Sequence, residues 1–183
     1  MRRIATTVIA VVGAVDDGAV EQLSAATNIA LVRSAAPDAE PLDRAVDAWR
    51  QAARSRTRYT VHTADPLAAV SEAWVRTYDG AGARGELEVA TSDTLQRWRA
   101  GGLDLPDYYV VVDADQLTET SRHWHLGVVH SWAPVRVIPS AAGAEAVLDA
   151  IGHLASGRWW PPLDEALEPI DRVVPDRVGI TSL

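Results

Sequence analysis

The sequence lacks three residue types altogether: its 183 residues include no cysteine, no lysine and no phenylalanine. Without lysine the chain cannot form a Schiff base with pyridoxal phosphate, and it has no P-loop lysine for a nucleotide. Without cysteine it has no thiol nucleophile, no disulfide and no thiolate ligand for zinc or an iron–sulfur cluster. Pyridoxal phosphate, iron–sulfur and P-loop nucleotide chemistry are therefore excluded, and cysteine usage does not indicate the redox compartment.

Basic side chains are also scarce. The chain has 17 basic residues, all of them arginine, against 25 acidic residues, and its formal net charge is −8. Duplex DNA and anionic membranes both need a basic surface on the protein that binds them. We therefore expect neither duplex nucleic acid nor a membrane as the main partner.

Long apolar runs are missing as well. No stretch reaches the roughly 20 apolar residues that a membrane span needs. The opening M-R-R and the apolar run up to Val15 resemble the start of a secretory signal, but Asp16 and Asp17 follow at once and no A-x-A cleavage site is present. We interpret the run as a buried first strand and expect a cytoplasmic protein.

Short β-branched runs alternate with amphipathic segments over most of the chain. The runs predict strands at residues 5–13, 28–33, 58–63, 86–90, 107–113 and 135–138, of which the second could instead extend a helix. Five or six βα units predict an α/β fold with a three-layer, doubly wound, mostly parallel sheet of the Rossmann-like or flavodoxin-like kind. We assign residues 1–156 to one such domain and residues 157–183 to a tail containing Pro and Trp, packed on the domain or on a partner.

Capping residues and tryptophans indicate where the helices lie. Asp65 before Pro66, Ser92 and Ser140 are each predicted to cap a helix, and a further helix is predicted over residues 116–132. Tryptophans recur every 24–26 residues within the helix patterns. Because phenylalanine is absent, we expect them to supply the bulky contacts between helices and sheet: Trp49, Trp74, Trp98 and Trp124.

The sharpest chemical signal follows the most apolar predicted strand, Y-Y-V-V-V, which is succeeded by Asp113 and Asp115. Ligands of open α/β sheets bind outside the carboxyl ends of the strands, and Asp16 and Asp17 would reach the same edge after the first strand. Clustered carboxylates repel one another unless a cation relieves them, and Mg²⁺ prefers oxygen ligands. The sequence therefore indicates a magnesium site in which Asp113 and Asp115 hold the metal and Asp16 or Asp17 completes the shell, able to hold a phosphorylated small molecule or a nucleotide.

Two further features could serve a small anionic ligand. Arg50 and Arg54 lie one helical turn apart and would form a fork for an anion, although arginines are also common at solvated helix ends. Ser140 follows the last predicted strand at the same edge as the acidic residues. The competing interpretation for the strand-end Asp and Ser residues is that they serve only as helix caps.

The segment Y-V-V-V-D-A-D-Q-L-T, residues 109–118, resembles the short D-x-D motifs of three families. It looks like the motif of haloacid-dehalogenase phosphatases, which carry it on the first strand, and that of nucleotide-sugar glycosyltransferases. It is also similar to the D-x-D-P-Q strand of ParA-type ATPases, whose P-loop would have to precede it. Here the chain has G-A-V-D-D-G-A-V from Gly13 to Val20, without the Lys and Ser or Thr of a P-loop. Each resemblance is confined to this segment.

Histidines do not form a convincing metal motif. His123 and His125 are two residues apart, so on a helix they would point nearly opposite ways and could not share one ion. His130 shares a face with His123 but would lie about 10.5 Å further along the axis. We expect neither a zinc site nor a serine hydrolase, since no G-x-S-x-G elbow occurs.

Two functional hypotheses remain open, and whether the protein is an enzyme is not decided by its sequence. The first is a magnesium-assisted enzyme or binder of a phosphorylated small molecule or nucleotide, centred on Asp113 and Asp115. The second is a non-catalytic protein–protein interaction or regulatory domain, with Trp159 and Trp160 of the tail contacting a partner.

Overall fold

The structure, a computed structural model, describes residues 5–33 and 38–175, without the side chain of Asp17. Five β-branched runs form one all-parallel sheet in the order β2-β3-β1-β4-β5. Their bounds are Thr7–Gly13 (β1), Ile29–Leu31 (β2), Tyr59–His62 (β3), Tyr108–Val112 (β4) and Val137–Ser140 (β5). The predicted α/β fold with a doubly wound parallel sheet is confirmed.

Helices connect the strands and cover both faces of the sheet. The α-helices are Asp17–Leu23 (α1), Pro41–Ala52 (α2), Ala68–Tyr78 (α3), Glu86–Arg99 (α4), Glu119–His123 (α5), His130–Trp132 (α6), Ala144–Gly152 (α7) and Leu163–Leu167 (α8). A π-helix, Trp124–Val129, joins α5 to α6, and 3₁₀ turns lie at Ala114–Gln116, Pro134–Arg136 and Ile170–Arg172. No helix in the described ranges combines the length and the apolar character needed to cross a membrane.

Every residue of the central strand β4 is buried, because helices cover the sheet on both sides. On one face α1 and α7 pack against alternate residues of β1 and β4, including Ile9, Val11 and Val110. On the other face α3 and the π-helix pack Trp74 and Trp124 over the intervening residues. Both of these tryptophans have no exposed surface, as predicted for helix–sheet contacts, whereas Trp49 and Trp98 are only partly buried.

One predicted strand is wrong. Residues 86–90 belong to the continuous helix α4, which begins after Gly85 and also contains Ser92, predicted to be a cap. In a strand, Leu87 and Val89 would point to the same face of the sheet. In the helix they point apart, and Leu87 is 9% exposed whereas Val89 is 61% exposed. The alternation E-L-E-V-A is too short to separate the two periods.

The helix predicted over residues 116–132 is interrupted. A 3₁₀ turn precedes α5, and the stretch from Trp124 to Val129 is wound as a π-helix. A π turn inserts one residue and so changes which side chains face the sheet beyond it. Gly127 lies within this turn, where a Cβ atom would come 2.9 Å from the ring of His123. The absence of a side chain at Gly127 thus leaves room for the His123 ring.

The tail packs on its own sheet over its described part. The indole of Trp160 is 7% exposed, donates a hydrogen bond of 2.6 Å to the carbonyl of Pro106, and meets the ring of Tyr109 edge-on at 5.8 Å. Trp159 is 52% exposed, and the guanidinium of Arg136 lies 3.8 Å from the centre of its ring. The two neighbouring tryptophans, both predicted as partner contacts, therefore lie in different environments.

Candidate functional site

A cleft of about 330 Å³ opens at the carboxyl ends of β1 and β3. The helix after β1 packs on one face of the sheet and the helix after β3 packs on the other. This divergence leaves a crevice between the two strand ends, which is where open α/β sheets bind ligands. The cleft is lined by Val11, Val12, Gly13, Val15, Thr63, Asp65, Ala68, Ser71, Glu72 and His125.

Asp65 occupies the turn between β3 and α3. Pro66 follows it, so its backbone is biased towards an extended conformation, and α3 begins only at Ala68. The predicted pairing of Asp65 as N-cap with Pro66 as first helical residue is therefore wrong. Instead, one carboxylate oxygen of Asp65 accepts a hydrogen bond from the backbone N–H of Leu67 at 2.8 Å and another from the hydroxyl of Tyr109 at 2.9 Å.

Tyr109, in the buried strand β4, donates the second of these hydrogen bonds to Asp65. Its ring lies on the face of β4 that carries Trp160, and only 1% of the residue is exposed. Ala10 of β1 pairs with Tyr109 on one side and with His62 on the other, and its small side chain leaves space for both. Burial, followed by the negative charge of Asp65, raises the pKa of Tyr109 well above its usual value. The phenol therefore remains a hydrogen-bond donor at all physiological pH values.

His125, in the π-helix, also lines the cleft. It is 9% exposed, and no hydrogen bond to its ring is made by the described residues. Burial lowers the pKa of His125, and the charge of Asp65 opposes that shift. Burial in turn raises the pKa of Asp65, opposed by His125 and by its two hydrogen bonds. The imidazole is thus neutral at pH 7, with one nitrogen free to accept a proton.

The rest of the described lining combines polar and apolar residues and carries no other basic group. Thr63 and Ser71 supply hydroxyls, and Glu72 supplies an exposed carboxylate at the mouth. Val12, Val15 and Ala68 supply an apolar wall. A neutral imidazole beside a carboxyl group of raised pKa is a combination suited to moving a proton to or from a bound molecule.

Comparisons with protein-family models, with curated proteins and with solved structures found no match to this chain. A doubly wound sheet by itself hosts many unrelated activities. Function must therefore be inferred from the chemistry of the side chains at the site.

The two acidic residues predicted as metal ligands after β4, Asp113 and Asp115, are not among the described residues that line the cleft. Asp113 has a left-handed backbone, φ 47°, and its side chain makes no capping hydrogen bond to the following turn. Its backbone N–H donates to the carbonyl of Ser140 at 2.8 Å. The side chain of Asp115 is 90% exposed and lies 3.5 Å from the guanidinium of Arg122.

The other predicted ligands are distributed along the molecule. Asp16 caps α1 by accepting from the N–H of Ala19 at 3.1 Å, while the side chain of Asp17 lies outside the described residues. Ser140 donates to the carbonyl of Ala141, and Gly143 takes the cap position of α7 that was predicted for Ser140. The structure thus brings Asp113 beside Ser140 through their backbones.

Arg50 and Arg54 lie at the opposite end of the sheet. Arg50 is in the last turn of α2 and Arg54 follows that helix, just before the chain enters β3 at its amino end. Both are exposed. They cannot reach a ligand at the carboxyl edge, because α2 runs antiparallel to the strands.

Two further observations narrow the choice of site. Within the described ranges, no group of three or more His, Cys, Asp and Glu side chains is placed to hold a metal ion. A larger groove of about 850 Å³ runs along α4 beside α8, but no strand residue and no histidine is found in its described lining. The smaller cleft is therefore the better candidate for chemistry, since it combines a strand-end position with converging titratable groups.

Proposed function

We propose that the protein is an enzyme that binds a small polar molecule in the cleft at the carboxyl ends of β1 and β3 and transfers a proton to or from it. The observation that carries this proposal is the pairing of Asp65 and His125 in one cleft at a strand-order switch point. A cleft of about 330 Å³ is at the small end of ligand sites, which suits a metabolite rather than a polymer.

The roles follow from burial and hydrogen bonding. His125 is the acid–base group, because burial keeps its imidazole neutral and therefore able to accept a proton at pH 7. Asp65 faces the imidazolium that forms when the proton arrives, and it stabilises that charge. Tyr109 is a positioning residue: its hydroxyl fixes one carboxylate oxygen of Asp65.

The magnesium hypothesis has weaker support than the acid–base cleft. Asp115 is highly exposed and already lies near Arg122, and an exposed carboxylate by itself binds Mg²⁺ poorly because the ion keeps its water shell. Asp113 and Asp16 are at neighbouring strand ends, so a metal titration remains a useful control. A partner-binding role has lost part of its basis, because Trp160 is covered by its own domain.

The test is a substrate screen with matched variants. Wild-type protein, His125→Gln and His153→Gln would be incubated with small esters, amides, amines, sugars and hydroxy acids, with and without Mg²⁺, and products detected by mass spectrometry. His153 is an exposed control at the end of α7. We expect His125→Gln to lose about 10²–10⁴-fold in rate, the usual contribution of a general acid–base group, while His153→Gln keeps full activity. Equal turnover by the His125 and His153 variants would contradict the proposal.

A further inference from the structure

Resting on the proposed function, we infer that the ligand of this cleft is a small organic amine, bound as its ammonium form between the carboxylates of Asp65 and Glu72 with His125 facing its nitrogen. The proposed function requires only that the ligand is polar, whereas this inference assigns the ligand a positive charge. Three observations support it.

The first support is the charge of the cleft. Its described lining has two carboxyl groups, Asp65 and Glu72, and one imidazole, with no guanidinium. Neither carboxyl group takes part in the ion pairs found among the described residues. A phosphorylated or carboxylate ligand would meet two like charges there, whereas an ammonium group would relieve a carboxylate that burial has made costly to ionise.

The second support is the spacing of the acidic groups. Asp65, Glu72 and His125 line the same cleft, yet no three such side chains in the described ranges are close enough to hold one metal ion. A divalent cation needs its oxygen ligands within about 2.6 Å of one point. An organic cation has no such requirement, since its ammonium hydrogens and carbon body extend over several ångströms. The valine and alanine wall of Val12, Val15 and Ala68 would contact that carbon body.

The third support is the unpartnered imidazole. His125 is more than nine-tenths buried and lines the cleft, and no described residue hydrogen-bonds its ring. A neutral ring nitrogen can accept a hydrogen bond from an N–H of an ammonium group. The hydrogen bond places a proton acceptor at the nitrogen of the bound amine, which is the position that the proposed proton transfer requires.

The experiment uses three probes that share a branched five-carbon skeleton and carry a positive, a neutral and a negative head group: 3-methylbutylamine, 3-methylbutanol and 3-methylbutanoate. Each would be titrated into the full-length protein by calorimetry, with the His125 ring signals followed by NMR. We expect the amine to bind about tenfold more tightly than the alcohol, and the carboxylate to bind more weakly than either.

Three variants locate the binding charge. Glu72→Gln should weaken amine binding about two- to fivefold, because that carboxylate is exposed, and should leave alcohol binding unchanged. Asp65→Asn should weaken amine binding by about tenfold or more, because this carboxyl group is less exposed to water than that of Glu72. Glu145→Gln removes one negative charge from the first turn of α7 and should change neither affinity.

Carboxylate binding as tight as amine binding, absence of amine binding, or amine binding that is equal in all three variants would each overturn the inference. The proposed function fails separately. If wild type turns over a neutral substrate and His125→Gln does not, acid–base catalysis by His125 stands and the amine ligand is excluded. If the amine binds but His125→Gln keeps full turnover, the amine site stands and acid–base catalysis by His125 is excluded.

Discussion

Tyr109 and Asp65 are joined by a hydrogen bond of 2.9 Å between residues that are 44 positions apart in the chain. The bond links the fully buried strand β4 to the turn before α3, and it holds a carboxylate that lines the same cleft as His125. Because the same carboxylate oxygen also accepts from the N–H of Leu67, the orientation of Asp65 is determined by both the strand and the helix.

Replacing Tyr109 by Phe should destabilise the protein at pH 7. The change removes one donor from a carboxylate that is already poorly hydrated, and hydrogen bonds to charged groups contribute about 1.5–3 kcal/mol. Tyr108→Phe is a matched control, because the Tyr108 hydroxyl donates to the neutral carbonyl of Ala155 at 2.8 Å. That loss should be about 0.5–1.5 kcal/mol. Urea denaturation of the two variants measures the difference, and a larger loss for Tyr108→Phe would argue against a charged acceptor.

Asp65→Asn should raise stability at pH 7 while weakening the binding of the proposed amine ligand. The asparagine oxygen can still accept hydrogen bonds from Leu67 and Tyr109, but the cost of ionising a partly buried group disappears. Since burial raises the pKa of Asp65 in the folded state, the gain should be largest above that folded pKa and should vanish at low pH, where the carboxyl is neutral in both states. We expect a rise in Tm of about 2–4 °C, the shift that roughly 1 kcal/mol produces in a domain of this size.

Melting curves from pH 3 to pH 8 test both parts of that expectation. A variant that gains equally at all pH values would show that the effect comes from packing and not from ionisation. Stabilisation together with loss of function is common at sites whose polar groups are strained for chemistry.

The fold was largely predictable because its determinants are local. The run Y-Y-V-V-V is apolar at every position and is followed by turn residues, which identifies a strand buried on both faces. Residues 86–90 were wrongly predicted as a strand because five residues fit both the strand period and the helix period. The face on which the Val89 side chain lies is decided by the whole of helix α4.

The site was not predictable in the same way. Asp65 has the sequence signature of a helix cap, and Tyr109 that of a core strand residue. His125 reaches the cleft from a π turn that sequence periodicity based on 3.6 residues does not reveal. The signals that the sequence does offer are the position of Asp65 just after a predicted strand and the presence of His125 in a predicted helix. Only the tertiary structure brings together groups 60 residues apart.

His62 should make the protein acid-labile. The residue ends β3, is 4% exposed, and burial lowers its pKa to about 4. A depressed folded pKa contributes stability above the unfolded value near 6.5, and this stability is lost as the pH falls through 6.5 towards 4. The loss corresponds to roughly 3 kcal/mol over that interval. NMR titration of the His62 ring would measure the pKa directly, and a midpoint near 6.5 would contradict the expected burial effect.

A His62→Gln variant separates this residue from the other acid-sensitive groups. Glutamine is uncharged at every pH, so the variant should be less stable than wild type at pH 7 through lost packing but should lose less stability between pH 6.5 and 4. If wild type and His62→Gln lose the same free energy of unfolding between pH 6.5 and 4, the acid lability comes from other titratable groups and not from His62.

Gly13→Ala should be among the most damaging substitutions at the cleft. Gly13 ends β1 with φ +97°, and a Cβ atom there would overlap the backbone carbonyl of Val112 in the neighbouring strand. Gly101 is a matched control because it also has a positive φ, +71°, but nothing lies within 4 Å of its Cβ position. Gly101→Ala should therefore cost only the backbone term of about 1–2 kcal/mol. Gly13→Ala should cost a further 1–3 kcal/mol, approximately, for displacing β4 from β1. Denaturant midpoints at equal m-values would measure both losses of stability.

Because Gly13 lines the cleft, Gly13→Ala should also shift the NMR signal of the His125 ring, whereas Gly101→Ala should leave that signal in place. Equal destabilisation by the two variants would show that the β1–β4 contact tolerates the methyl group.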